Sequence, residues 1–134
     1  MSSLSLWVAQ TLAAAFLGIL FLQSGLDKVL DWKGNKEWLT GYFAKSPLKR
    51  FPTFLLFNIT VLEVAAGVVS AAGCLTVLLT RGSTIAFVGA VLSAVSVVSL
   101  FFGQRLAKDY AGAAGMVPYA LFTIASVLLQ GANL

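Results

Sequence analysis

A long apolar run with one carboxylate near its middle constrains the fold of this chain more than any other feature. The run covers residues 54–79, and Glu63 is its only acidic or basic residue. As a helix it is long enough to cross a hydrocarbon core of about 30 Å. A carboxylate at the centre of a bilayer costs on the order of 3 kcal/mol, so such groups face protein or water. We therefore expect Glu63 to face the interior of a helical bundle.

The face of this helix that carries Glu63 is otherwise made of small residues, namely Ala66, Gly67, Ser70 and Cys74. Small residues let helices approach closely in lipid, which marks this face as packed. Glu63 has two open interpretations, as a functional group or as a protonated acid that binds a neighbouring helix. We expect its partner to be Gln23, Asn58 or a water molecule. Lys28 is expected to pair instead with Asp109, and thereby to hold helix 1 to helix 4.

The composition is that of an integral membrane protein. Hydrophobic residues make up 59% of the chain and charged residues 10%, against about 25% charged in soluble proteins. Three further apolar runs are also long enough to cross a bilayer. The sequence therefore predicts an all-α, four-transmembrane-helix bundle in one domain, residues 1–134. The helices are expected at about 4–28, 53–80, 83–103 and 110–130. The first run lacks the basic start and small-residue cleavage site of a signal peptide, so it should remain as a span.

A short amphipathic helix is predicted between helices 1 and 2, at about residues 35–46. Trp38, Tyr42 and Phe43 recur there at helical spacing, while the charged residues lie elsewhere on the wheel. Such a helix lies flat in the membrane interface, where tryptophan and tyrosine side chains are enriched. We expect its anchors to be Trp32, Trp38, Tyr42 and Phe43.

The basic residues predict the orientation of the bundle. Eight of the nine lie in the 1–2 and 3–4 connections, and only Arg81 lies on the other side. The positive-inside rule then places both termini on the non-cytoplasmic side of a cell's inner membrane. Because the net charge of +4 is explained by topology, nucleic acid is not an expected partner.

The chain carries no recognisable catalytic or metal-binding motif. It has no histidine and one cysteine, and no GxSxG, Walker or metal-spaced cluster is present. We therefore expect no catalytic residue, no metal and no cofactor of its own. The topology gathers an intramembrane polar cluster at the cytoplasmic half, formed by Glu63, Asn58, Gln23 and Ser24. Arg105 and Tyr110 are candidates for contact with a lipid or quinone head group.

Several segments resemble the DoxX family of small four-helix membrane proteins. Residues 21–28, FLQSGLDK, are similar to the family's F-L-x-S-G-L-x-K end of helix 1. Glu63, Gly67 and Gly73 match its E-x-x-x-G-x-x-x-x-x-G pattern in helix 2, and residues 108–114 with Pro118 and Tyr119 match its later pattern. The resemblance covers nearly the whole chain and depends on the order and spacing of the polar landmarks.

The resemblance implies a fold, and it leaves three functions open. Similar proteins include the small subunit of an archaeal thiosulfate:quinone oxidoreductase and subunits of other membrane redox assemblies. The first function is a non-catalytic accessory subunit that packs against other membrane subunits, which the small-residue faces favour. The second is a quinone- or lipid-binding redox subunit. The third is a transporter or proton path through Glu63, which the absence of broken-helix repeats from the sequence disfavours.

Overall fold

The computed structural model describes residues 3–134 and confirms the predicted all-α bundle with four spans. Its helices are α1 (Ser3–Leu30), α2 (Trp32–Tyr42), α3 (Pro52–Thr80), α4 (Thr84–Leu106), α5 (Tyr110–Gly115) and α6 (Val117–Gly131). Four segments are long and apolar enough to cross a membrane: α1, α3, α4 and the combined α5–α6 segment. The fourth span is interrupted at Met116, just before Pro118 in the first turn of α6, because proline cannot complete the hydrogen bonding of a preceding turn.

Glycine lets α1 and α3 pack with their backbones close together in an antiparallel arrangement. A methyl group added at Gly67 would lie 2.5 Å from the Leu22 backbone nitrogen, and one at Gly25 would lie 3.1 Å from the Val64 nitrogen. Both positions need the absence of a side chain. These two contacts fix the register between the helices, since Gly25 lies level with Val64 and Leu22 with Gly67.

The remaining spans extend this pair into a bundle. A methyl group at Gly89 of α4 would lie 2.5 Å from the Ser70 hydroxyl oxygen of α3, so α3 and α4 are also in close contact. The span α5–α6 packs against α4, and α6 also contacts α1. The core between the helices is formed by Leu17, Phe21, Ala66, Ala90 and Val97. Dispersion contacts among such close-packed side chains stabilise helices in lipid.

A hydrogen-bond network ties α1 to α6 at the end of the bundle that carries both termini. The Gln10 side chain donates to the Leu129 carbonyl at 3.0 Å and to Asn133 Oδ1 at 3.1 Å. Gln130 returns a bond of 2.8 Å to the Gln10 carbonyl, and the Ser83 hydroxyl donates to Asn133 Oδ1 at 2.6 Å. Buried amide groups of this kind need hydrogen-bond partners, and most of these groups find their partners within the bundle.

The short helix α2 begins and ends earlier than the predicted 35–46. It starts at Trp32 because the Asp31 carboxylate accepts a bond of 3.3 Å from the Gly34 amide and caps the first turn. It ends at Tyr42, and turns follow around Ser46 and Pro47, where the Ser46 hydroxyl accepts from the Leu48 amide at 3.1 Å. The helix then lies against α3.

Candidate functional site

The carboxylate of Glu63 faces the interior of the bundle, as expected, and forms an ion pair with Lys28. Lys28 Nζ lies 3.0 Å from Glu63 Oε2 and 3.1 Å from the Ser24 hydroxyl oxygen. Glu63 is 1% exposed and the Lys28 side chain 21%. The pair connects α1 to α3, and each charge is compensated by its neighbour within the bundle.

The prediction that Gln23 or Asn58, and not Lys28, would be the side-chain partner of Glu63 was therefore wrong. Lys28 would be too far from Glu63 if the start of α3 were level with the end of α1. In the observed register Gly25 lies level with Val64, so Lys28, one turn later, lies close to the level of Glu63. The first turns of α3 extend beyond the end of α1, and the lysine therefore does not have to reach deep into the bundle.

Asp109 does not pair with Lys28 and instead binds Tyr42, so the predicted pair was also wrong. The Tyr42 hydroxyl donates a bond of 2.6 Å to Asp109 Oδ2, and the other carboxylate oxygen caps α5 by accepting 2.9 Å from the Gly112 amide. Among the described helices, α1 and α5 make no contact, which explains why Lys28 and Asp109 stay apart. The Tyr42–Asp109 bond joins α2 to the start of the fourth span.

This bond changes the acid–base behaviour of both groups. Burial, and then the hydrogen bond to Asp109, raise the pKa of Tyr42 well above its ordinary value. The Tyr42 hydroxyl, and then the Gly112 amide, hold the pKa of Asp109 below its ordinary value, against a smaller opposing effect of burial. At neutral pH the tyrosine is therefore a donor and the carboxylate an acceptor.

An apolar cavity of about 440 Å³ lies beneath α2, between α3 and α4. Volumes of this size are typical of sites for small molecules. The helix α2 contributes Trp38, Leu39 and Tyr42 to its wall, and Phe43 and Leu48 follow from the turns. From α3 and α4 come mainly aliphatic and aromatic side chains, which are Phe54, Leu55, Ile59, Leu62, Leu100 and Phe102. We call this space the α2 cavity.

Few polar side chains line the α2 cavity. Asn58 donates through Nδ2 to the Phe54 carbonyl at 2.8 Å, and the Ser99 hydroxyl donates to the Val95 carbonyl at 2.8 Å. Gln104 also lines the cavity, and its Oε1 is buried and has no hydrogen-bond partner within residues 3–134. A buried acceptor without a partner is uncommon in folded proteins and requires an explanation.

The other predicted site residues lie outside the α2 cavity or at its edge. Gln23 is exposed on the surface of α1. The Arg105 guanidinium lies 4.6 Å from the centre of the Tyr110 ring, and both side chains are exposed. Neither lines the cavity. Of the predicted interfacial anchors, Trp38 is 63% exposed and Phe43 7%, while Trp32 is half-buried.

Among residues 3–134, no group of three or more acidic or cysteine side chains is placed to hold a metal ion. Sequence reasoning missed Gln104, since one amide near the end of an apolar span is usually a solvated anchor.

A comparison with known protein families supports the resemblance seen in the sequence. The model of the DoxX family matches residues 9–105. The match covers most of α1 and all of α2 and α3, and it ends in the last turn of α4. It therefore includes the ion pair and the side chains that form the α2 cavity. No match was found among curated proteins or among solved structures.

Proposed function

The chain belongs to the DoxX family, and we propose that it is a small, non-catalytic membrane subunit that holds one amphiphile, a quinone or a lipid, in the α2 cavity. The observation that carries this proposal is the cavity itself, with its predominantly aliphatic and aromatic wall. The chain is a multi-pass integral membrane protein. A ligand from the bilayer would therefore reach the cavity without leaving lipid.

The wall of the cavity suits a molecule with an apolar body and a small polar head. Burial of apolar surface yields about 25 cal/mol per Å², so an aliphatic and aromatic wall supplies affinity without specificity. The few polar side chains then orient the head. The helix α2 covers this space and is held in place by the Tyr42–Asp109 bond and by the burial of Phe43.

The proposed location of the ligand is the cytoplasmic leaflet of the inner membrane. The α2 cavity lies at the end of the bundle that carries the 1–2 and 3–4 connections, where eight of the nine basic residues occur. The positive-inside rule favours the cytoplasmic side for this end and the opposite side for both termini.

Native mass spectrometry of the protein, purified in a mild detergent, tests the proposal. We expect one bound amphiphile per chain, and its mass distinguishes a quinone from a phospholipid. Ile59→Trp should fill the cavity and abolish the adduct, because Ile59 lines it. Val61→Trp is the matched control, since Val61 lies on the same helix but faces outward and is 51% exposed. Equal occupancy in both variants would contradict the proposal.

A second function, packing against another membrane subunit, is favoured by the fourth span. In the most apolar 18-residue stretch of this span, only 17% is buried within the chain, against 33% in the corresponding stretch of each of the other three spans. A helix with so few internal contacts offers a surface for a partner helix. The proposed accessory role in a larger membrane complex, respiratory or redox, rests on this surface.

Photo-crosslinking from the exposed face of the fourth span tests the accessory role. A photoreactive residue at Leu121, which is 66% exposed on α6, should yield a protein adduct of one defined mass in intact membranes. The same residue at Val68, which is 53% exposed on α3, serves as the control and should label lipid. Lipid labelling at both positions would contradict the accessory role.

A further inference from the structure

Three cations lie in the turn that connects α2 to α3, and we infer that they bind the head group of an anionic phospholipid whose acyl chain occupies the α2 cavity. This segment, residues 45–50, carries Lys45, Lys49 and Arg50, and we call it the basic turn. The inference rests on the proposed function, because it names the class of amphiphile that the same cavity would hold.

The positive charge of the basic turn is not balanced by the chain around it. Between Glu37 and Glu63 the sequence holds no acidic residue, and the three cations of the basic turn are its only charged residues there. All three are exposed. Among residues 3–134, the only ion pair joins Lys28 to Glu63. The cations of the basic turn are therefore available to an anion.

Hydrogen bonds and two prolines restrain the backbone of the basic turn. Ser46 is 7% exposed, its hydroxyl donates to the Phe43 carbonyl at 3.1 Å, and its own carbonyl accepts a bond of 3.2 Å from the Lys49 amide. Pro47 within the turn and Pro52 after it fix one backbone dihedral angle each. A restrained backbone lowers the entropy that the turn loses when it binds a ligand.

The basic turn joins the α2 cavity to the membrane interface. Leu48, between the cations in sequence, lines the cavity, as does Phe54 in the first turn of α3. Phe51 and Phe54 are 52% and 65% exposed, and they lie where the span of α3 begins. Apolar side chains beside cations are typical of a surface that contacts acyl chains and phosphates together.

An anionic phospholipid fits this combination better than a zwitterionic lipid or a quinone. Its phosphate carries a charge that no other group of the head cancels, so it gains from all three cations. A zwitterionic head brings an ammonium group that the same cations repel, and a quinone head has no charge for them to bind. An acyl chain matches the aliphatic and aromatic wall of the cavity.

Competition between phosphatidylglycerol and phosphatidylcholine with identical dioleoyl chains tests this inference, because the two lipids differ in the net charge of the head. We expect native mass spectrometry of the protein in a mild detergent, with an equimolar mixture, to show at least about 5-fold more phosphatidylglycerol adduct. This factor is the contribution of one cation near an anionic head. Detergent micelles also remove any effect of membrane orientation.

Two variants of equal net charge separate the basic turn from the general positive charge of this end of the bundle. The first combines Lys45→Gln, Lys49→Gln and Arg50→Gln, and it should lose most of the preference. The matched control removes three exposed cations outside the turn and should keep the preference. Its substitutions are Lys33→Gln, Lys36→Gln and Lys108→Gln.

The same measurements distinguish failure of this inference from failure of the proposed function. Equal adducts of both lipids, or an equal loss of preference in the two variants, would overturn the basic turn as the head-group site. If Ile59→Trp still abolished the adducts, the proposed function would stand. Adducts that persist unchanged in Ile59→Trp would overturn both. Soluble glycerophosphoglycerol, the same head without chains, should not displace the lipid, and displacement at equal concentration would overturn the role of the cavity.

Discussion

Removal of one partner of the Lys28–Glu63 ion pair should destabilise the bundle, and removal of both should cost much less than the sum. Lys28→Met keeps the apolar stem of the side chain but leaves Glu63, which is 1% exposed, without its cation. Breaking a fully buried pair costs about 3–5 kcal/mol. Because the Lys28 side chain is 21% exposed, water screens part of the interaction. We expect a loss of about 2–4 kcal/mol in the free energy of unfolding.

The double variant Lys28→Met, Glu63→Gln carries neither charge. Its free energy of unfolding should be about 1–3 kcal/mol higher than the sum of the two single losses predicts. Unfolding by sodium dodecyl sulfate in mixed micelles measures all four corners of the cycle. Lys33→Met is the matched control, because Lys33 is exposed on α2, and its effect should stay within about 0.5 kcal/mol. Additive losses, or a Lys28→Met protein as stable as the control, would refute the ion pair.

Three further predictions follow from the packing, the capping and the charge distribution. Gly67→Ala should lower the free energy of unfolding by about 1–3 kcal/mol, because its methyl group meets the α1 backbone, whereas Gly115→Ala, which meets nothing within 4 Å, should be nearly neutral. The Tyr42–Asp109 bond should contribute most between pH 4 and 10, roughly the ordinary pKa values. Its contribution falls in acid as Asp109, whose pKa is lowered, takes up a proton, and in alkali as Tyr42, whose pKa is raised, loses one. Tyr42→Phe should therefore make the free energy of unfolding depend less on pH at both limits, and an unchanged pH dependence in this variant would contradict the prediction. A cysteine at position 133 should react with an impermeant thiol reagent added outside intact cells, and labelling only after permeabilisation would reverse the orientation.

The four spans could be predicted because their lengths and the polar breaks between them are properties of the sequence alone. The inward orientation of Glu63 could also be predicted, since the small residues on its helical face marked the packed side. Its partner could not. The depth of Lys28 relative to Glu63 depends on the register of α1 against α3, and close contacts at Gly25 and Gly67 determine that register.

The α2 cavity lay beyond sequence reasoning for a similar reason. It forms only because α2 folds back against α3 and places Trp38 and Tyr42 opposite side chains from α4. The start of α2 was misplaced because the cap provided by Asp31 was overlooked. The sequence around Gln104 does not indicate that its Oε1 is buried without a partner within residues 3–134, because that burial depends on tertiary packing.

Photoaffinity labelling with a phosphatidylglycerol that carries a diazirine on one acyl chain tests most directly whether the α2 cavity is a binding site. Peptide mapping after irradiation should place the label on residues that line the cavity, such as Leu62 and Leu100, and an excess of unlabelled phosphatidylglycerol should compete it away. Labelling spread over the outward faces of the spans, including Val68 and Leu121, and unaffected by competition would contradict the proposed site.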